Sequence, residues 1–338
     1  MKPTDLAKYL TGYLTLYLPD TKGLSTNTIA SRRDTFVLFF SYLQDEKKIS
    51  PSKADISSLD AAIITGFLDW LENTRGCSVS TRNLRLSALK AFFQYIQTQT
   101  PDHMYLCQQI AALPLKKSPN KNIDYLTLDG IKAILDVVDT TTPSGRRDLV
   151  LLSVLYDSAA RVQEIADLKI GDIRLPKPST IRLTGKGNKS RVVPLMAPTA
   201  KLIQQYLDEN ILNSVEHYNY PVFKNRSGTK LTRAGISYIL DKYVTIAKQS
   251  CPTLIPRDIS PHSFRHSKSM HMLQAGVPLI YIRDFLGHAE ISTTEVYARC
   301  DSSQKRKAIE AAYPNILVSA LPSWQSDDGL MNWLNSLC

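Results

Sequence analysis

Four short segments gather the residue types that can do chemistry. They are Ala160-Arg161-Val162-Gln163-Glu164, Gly185-Lys186-Gly187, His262-Ser263-Phe264-Arg265, and Leu286-Gly287-His288 followed nine residues on by Tyr297. Guanidinium forks match phosphate oxygens two at a time. Imidazoles exchange protons near neutral pH. A phenol of reference pKa near 10 needs a base or nearby positive charge before it attacks anything. Each segment alone also has a plain reading. An Arg–Glu pair three apart on a helix is ordinarily a surface ion pair. A lysine in a glycine-rich turn is ordinarily solvated, a lone histidine ordinarily packs in a core, and Tyr297 is one of 16 tyrosines.

The elements that must position these residues can be read from periodicity. Thr127 caps a helix, so a domain starts near 123, with helical segments over 128–138 and 145–158. The period then changes between Leu168 and Pro194. Ile173 and Leu175, Thr180-Ile-Arg-Leu and Arg191-Val-Val-Pro-Leu read as short strands, with Gly185-Lys-Gly-Asn-Lys-Ser as a hairpin turn. Helices return over 198–208, 232–248, 261–275 and 278–286. The expected class is mainly α with a small antiparallel sheet.

The N-terminal part reads as helices throughout. Apolar spacing marks Ile29 to Leu43, Ser58 to Leu71, and a third helix opened by Ser78-Val79-Ser80 with Leu84, Leu86, Leu89, Phe92, Phe93 and Ile96. The other face of that third helix carries Arg82, Arg85 and Lys90, and no acid lies between residues 80 and 97. Such a stripe is either a solvated face or a helix lying along phosphates. The polar stretch 114–122, with two prolines and three lysines, is the best linker in the chain. The expected organisation is therefore a helical domain over 1–110, a linker over 111–125, a second domain over 126–312 and a tail over 313–338.

Composition narrows the classes. The 338 residues suggest two domains, and a net charge of +10 with a pI near 9.2 points toward a polyanionic partner. No apolar run approaches the ~18 residues a membrane span needs, and the N-terminus has no apolar signal core. Five scattered cysteines without a CxxC pair read as free thiols, which with the missing leader suggests the cytoplasm. His262, His266 and His271 share a helix, but no Glu follows His262 and no cysteine joins them. No metal is expected, and His266 is read as structural or DNA-facing.

Taken together, the order of Arg161, Lys186, His262-x-x-Arg265, Gly287-His288 and Tyr297 resembles the tyrosine recombinase (phage-type integrase) family. The resemblance runs from about Thr127 to Arg299. Gly185-Lys-Gly-Asn-Lys-Ser-Arg-Val-Val-Pro-Leu is similar to the family's β-hairpin. Pro261-His-Ser-Phe-Arg-His is similar to its His-x-x-Arg box, and Leu286-Gly-His-Ala-Glu-Ile-Ser-Thr-Thr-Glu-Val-Tyr to its tyrosine box. The N-terminal helices resemble the core-binding (SAM-like) domain more loosely. Three departures stand out. Ala159 replaces the usual glycine two before the arginine, Arg299 stands where histidine is common, and Ser267-Lys268-Ser269 replaces small residues, with Lys268 read as facing phosphate or solvent.

The resemblance implies a two-domain DNA clamp and strand transfer through a 3′-phosphotyrosyl link and a Holliday junction. That link conserves bond energy, so no ATP or other cofactor is implied. Tyr297 would be the nucleophile, Arg161 and Arg265 the phosphate clamp, His288 a third donor, His262 an acid/base, and Glu164 an orienting carboxylate. Lys186 would be the acid for the leaving 5′-oxygen, with Lys189 as its rival. Arg82, Arg85, Lys90 and Arg233 are the candidate DNA contacts. The implied partners are double-stranded recombination sites, a homo-tetramer on two sites, and accessory DNA-bending proteins as an open addition. A mobile-element enzyme is favoured. The alternatives are a chromosome-dimer resolvase, a type IB-like topoisomerase and a non-catalytic DNA-binding module. In the tail, Leu330, Trp333, Leu334 and Leu337 form one apolar stripe that would dock onto its own domain or onto the next protomer.

Overall fold

The computed structural model describes residues 3–117, 125–212, 214–288, 294, 295, 297 and 328–337, the side chains of Lys186, Val215, Asp328 and Leu330 excepted. The chain divides into two compact units, residues 1–121 and 122–338.

In the first unit, α1 (Asp5–Gly12) runs on into a π-helical stretch, Tyr13–Thr21. There follow α2 (Thr26–Asp45), α3 (Ala61–Asn73), α4 (Val79–Gln99) and α5 (Met104–Ala112). Side chains cap the starts of α3 and α4: Asp60 accepts from the Ile63 N–H at 2.6 Å and Ser78 from the Thr81 N–H at 3.3 Å. The core is aromatic, with Phe36 and Phe92 packed edge to face at 4.9 Å and Phe39 against Phe67 at 5.2 Å.

The basic face expected on α4 is not a free stripe. Arg82 is buried, and its guanidinium donates to the carbonyl of Pro114 at 3.4 Å and to the Asn83 side chain at 3.1 Å. Arg85 donates to the Ser31 carbonyl and the Thr35 hydroxyl at 2.9 and 3.0 Å. Lys90 donates to the Ala111 carbonyl at 2.7 Å, one of the last carbonyls of α5. The reason is helical geometry. Residues 82, 86, 89 and 93 repeat at i, i+4, i+7 and i+11, so Arg82 stands in line with buried Leu86, Leu89 and Phe93. Leu84, expected in the apolar stripe, is the exposed one, at 55%.

The second unit begins with α6 (Leu128–Asp136), capped by Thr127 as read from the sequence. Its central rod is α7 (Pro143–Asp157), whose Leu151, Leu152, Val154 and Leu155 are fully buried. The short α8 (Val162–Ala166), which sequence periodicity did not mark, follows. The sheet is antiparallel in the order β1 (Ile173–Arg174), β2 (Thr180–Thr184), β3 (Ser190–Pro194). Register pairs Ile181 with Val193 and Thr184 with Ser190. Gly187 at φ +75° and Asn188 at φ +57° close the turn. Then come α9 (Ala197–Glu209), α10 (Arg233–Ser250), α11 (Pro261–Gln274) and α12 (Leu279–Leu286).

In the tail, α13 spans Asp328–Asn335. Its Met331, Trp333 and Leu334, and Leu337 just beyond it, are all exposed. Trp324 and residues 316–318 lie outside the described residues. No helix among those described is long and apolar enough to cross a membrane.

Candidate active site

Arg161 is delivered by a sharp bend. α7 ends at Asp157, and Ala159 then takes a left-handed conformation at φ +47°, fully buried. Arg161 is the N-cap of α8. Its own N–H donates to Glu164 Oε2 at 2.8 Å and its guanidinium to Oε1 at 3.0 Å. The pair three apart is therefore no surface ion pair, because the Glu164 side chain is 2% exposed.

Glu164 has a second cation that the sequence reading missed. Arg191 of β3 donates through both terminal nitrogens, each at 2.9 Å, and its Nε donates to the Phe285 carbonyl. Burial by itself would raise the Glu164 carboxyl. The Arg191 hydrogen bonds and charge, with those of Arg161, offset that and hold it below the usual range. A signal existed: Arg191 lies two residues from Val193, on the buried face of a two-residue period.

Two glycines make room for this network. A Cβ on Gly185 would stand 2.9 Å from Glu164 Oε1. A Cβ on Gly287, at φ +64°, would stand 2.8 Å from the Arg191 side chain. The cleft beside them is lined by Arg161, Gly187, Lys189, Arg191 and His288 among others. Lys186 opens the 3₁₀ turn between β2 and β3, one residue from Gly185, and its side chain is not described.

α11 supplies the next group. Arg265 is buried and donates to the carbonyls of Ala159 and Leu286 at 2.7 and 2.6 Å. Burial, with the charges of Arg161 and Arg191, pulls its pKa down to about 10, so it stays a cation at neutral pH. Burial and the same kind of positive surroundings lower His262, and bring His288 down to about 4. Both imidazoles are therefore neutral at pH 7. His288 Nδ1 lies 3.0 Å from the Thr294 hydroxyl. With that hydroxyl donating, Nε2 carries the hydrogen.

Tyr297 is 2% exposed and packs with Ala159, Met270, Leu273, Ile282 and Leu286. Burial raises its phenol, while Ser269 and the charges of Arg265 and Arg161 oppose that. Its hydroxyl lies 2.8 Å from Nδ1 of His266, another contact the sequence reading missed. Spacing places His266 one turn after His262 on the same helix, and only the packing of the fold brings it to Tyr297, 31 residues on.

Other expectations fall elsewhere. Lys268 does not face open solvent: it pairs with Asp157 at 3.1 Å and covers the Tyr156 ring. His271 bonds the Tyr156 hydroxyl through Nδ1. Among the described residues no three His, Cys, Asp or Glu groups gather as metal ligands. Arg233 is exposed at the head of α10. Arg299 lies outside the described residues.

Comparison with known proteins defines the class. Residues 124–304 match the phage integrase family, and residues 11–99 match the phage integrase N-terminal SAM-like domain. The fold agrees with solved recombinases at low identity. It superposes on the XerH site-specific recombinase bound to palindromic difH substrate with a TM-score of 0.68 at 24% identity, over 86% of this chain and 80% of that one. It superposes on the Tn1549 transposon integrase in complex with a circular intermediate DNA with a TM-score of 0.68 at 15% identity, over 89% and 98%.

The chain belongs to the phage integrase family, the tyrosine recombinases. It is 32% identical to a Sinorhizobium fredii protein that bears the name integrase/recombinase y4rC, over 99% of both chains. It is also 32% identical to the tyrosine recombinase XerD of Listeria innocua, over 87% of this chain and 94% of that one.

Proposed function

We propose that the protein is a site-specific DNA recombinase in which Tyr297 attacks a phosphodiester and carries the strand as a 3′-phosphotyrosyl link. One observation supports this above the others: Arg161 and Arg191 share the single carboxylate of Glu164 while the charge of buried Arg265 adds to theirs, leaving positive charge in excess beside a tyrosine hydroxyl. An anionic phosphate entering the cleft would relieve that excess, and more so in the transition state, where charge on the non-bridging oxygens grows. Arg161 and Arg265 then clamp those oxygens, and neutral His288 adds an Nε2–H donor. His262 exchanges protons, and Glu164 orients the arginines. Lys186, carried on the hairpin, protonates the leaving 5′-oxygen; Lys189 is its rival. The tyrosyl ester conserves the bond energy, so the two strand exchanges need neither ATP nor metal.

In this reading four protomers act on two sites, and the exposed apolar face of α13 docks on a neighbouring protomer. Arg233 contacts DNA. Integration or excision of a mobile element is favoured by the full-length match to a protein named integrase/recombinase. A second reading, resolution of chromosome dimers, is favoured by the matches to XerD and XerC, which cover 87% and 88% of this chain.

The experiment is to incubate the protein with genomic fragments of its host and sequence DNA trapped covalently on it. Element ends support the first reading and one recurrent chromosomal site the second. Tyr297→Phe removes one oxygen and little packing, so it should still bind DNA while the covalent adduct vanishes. Retention of the adduct would sink the assignment, and relaxation of any plasmid without a preferred site would favour a topoisomerase.

A further inference from the structure

The nucleophile's partner is the feature that the family resemblance left without a role. Tyr297 is buried, and its hydroxyl meets Nδ1 of His266 at 2.8 Å, a full-strength hydrogen-bond distance. The two rings lie 5.6 Å apart, centre to centre. His262, the histidine of the His-x-x-Arg box, stands behind His266 with its ring centre 6.5 Å away.

We propose that His266 is a catalytic residue of this recombinase: it accepts the Tyr297 phenol proton as the tyrosine oxygen attacks phosphorus, and returns it when the strand is rejoined. The inference rests on Tyr297 being the nucleophile, as proposed above. In cleavage the Tyr297 O–H bond breaks and its proton passes to His266 Nδ1. The new bond joins the tyrosine oxygen to phosphorus, the bond from phosphorus to the 5′-oxygen breaks, and that oxygen takes its proton from the separate acid on the leaving side. In rejoining, the 5′-hydroxyl attacks phosphorus and returns its proton to the leaving-side group, the bond from phosphorus to the tyrosine oxygen breaks, and the imidazolium gives its proton back to the phenolate. No external co-reactant is needed.

The surroundings suit a proton acceptor. From α11, His262, Arg265 and Ser269 face the pair. Arg161 at the head of α8, Arg191 of β3 and His288 after α12 complete the charged and titratable ring, with Glu164 beneath the arginines. Burial, then His262 and Arg265, lowers the His266 imidazole, so it is neutral at working pH and has a lone pair for the phenol. The positive charges of Arg265 and Arg161 favour the phenolate once the proton leaves. The alternative role is a lock, in which His266 holds Tyr297 out of reach of the phosphate.

The test uses the whole 338-residue chain and a nicked duplex carrying the captured site. Single-turnover formation of the covalent complex is followed from pH 5 to 9. His266→Asn and His266→Gln keep a polar side chain but cannot take a proton at this pH. A base of this kind contributes about 10²–10⁴-fold. Both variants should lose that factor in cleavage, and by microscopic reversibility in rejoining, with DNA binding and melting temperature unchanged. A base works when deprotonated, so wild-type rate should fall as pH drops through the His266 pKa. The variants should lose that limb and rise toward the ionisation of the phenol itself. Cleavage by a folded variant at wild-type rate overturns the proposal. Faster cleavage assigns the lock instead. Tyr297→Phe, run in parallel, separates the two levels: an adduct formed without the phenol defeats the nucleophile assignment itself, whereas no adduct there beside full-rate His266→Asn defeats only the role of His266.

Discussion

The face of α4 and the site around Glu164 both bury arginine, and they use it in opposite ways. On α4, Arg82 and Arg85 are spread out, and their guanidiniums end on carbonyls and hydroxyls of their own unit. Glu72 adds charge nearby, pairing with Lys116 and lying 3.8 Å from Arg82. Asn83 exchanges two hydrogen bonds with the backbone of Lys116. The helix thereby fastens residues 114–116, the start of the segment read as linker. Around Glu164 three guanidiniums crowd instead: the charges of Arg161 and Arg191 lower Arg265, and all three lower His288. A basic composition of +10 says nothing about which arrangement a given arginine belongs to. What separates them is whether the nearest charges have the same sign. The first arrangement stabilises the fold. The second sets like charges against one another around a single carboxylate.

The largest test of that contrast removes the shared carboxylate. Glu164→Gln keeps the shape but leaves Arg191 and Arg161 facing each other without a counter-charge. Breaking a buried ion pair this way costs about 3–5 kcal/mol, with the lower end expected because the Arg161 side chain is 38% exposed. The pH dependence has a definite sign. The folded carboxyl titrates below its unfolded value, about 4.3. Its contribution is present above that value and is lost as pH falls through the lower, folded pKa. Melting followed across the acid range should show wild type losing stability there and the Gln variant losing less. An unchanged melting temperature at pH 7 would mean the arginines are not held in a strained cluster.

A smaller effect is expected on the other side of the comparison. Arg82→Met preserves the apolar stem and removes donors to Pro114 and Asn83, which should destabilise by about 1–3 kcal/mol. If α4 fastens its own chain, this variant should leave the salt dependence of DNA binding unchanged, measured as affinity against salt concentration. Arg233→Ala, by contrast, should reduce the slope by about 1, since each phosphate contact contributes about 0.9. A reduced slope in Arg82→Met would return α4 to the DNA face.

These two regions also mark how much of the fold and site is legible in the sequence. Helices α2, α3, α4 and α6 and the hairpin followed from spacing and caps, because their signals are local. Arg161, Glu164, Arg265 and Tyr297 stood out through the order of their motifs, and the structure brings them together. Arg191 and His266 did not, although each lies one strand period or one helical turn from a marked position. Their partners, Glu164 and Tyr297, are 27 and 31 residues away, and contacts of that range follow from tertiary packing. The α4 stripe differs from its expected exposure for another reason: helical phase places Arg82 in line with Leu86 and Leu89, and a long polar side chain can enter that line when carbonyls await it.

The smallest expected effect concerns the bend that presents Arg161, where the two kinds of region differ in backbone as well as charge. Ala159 stands where the family resemblance has glycine, and the structure holds it at φ +47° with its side chain fully buried. A left-handed conformation costs an L-residue with a Cβ about 1–2 kcal/mol. The cost persists because the Ala159 carbonyl is fixed by Arg265 at 2.7 Å, and because its methyl packs in the cluster around Tyr297. Ala159→Gly would relieve the strain. It would also lose the methyl contact and loosen the unfolded chain, which together offset much of the gain. The net change should be a stabilisation under about 1 kcal/mol, with cleavage unchanged because Arg265 still finds the same carbonyl. Chemical denaturation with a common slope would measure it. A loss of more than about 1 kcal/mol would mean that the methyl's packing, rather than the turn's conformation, decides the stability of the bend.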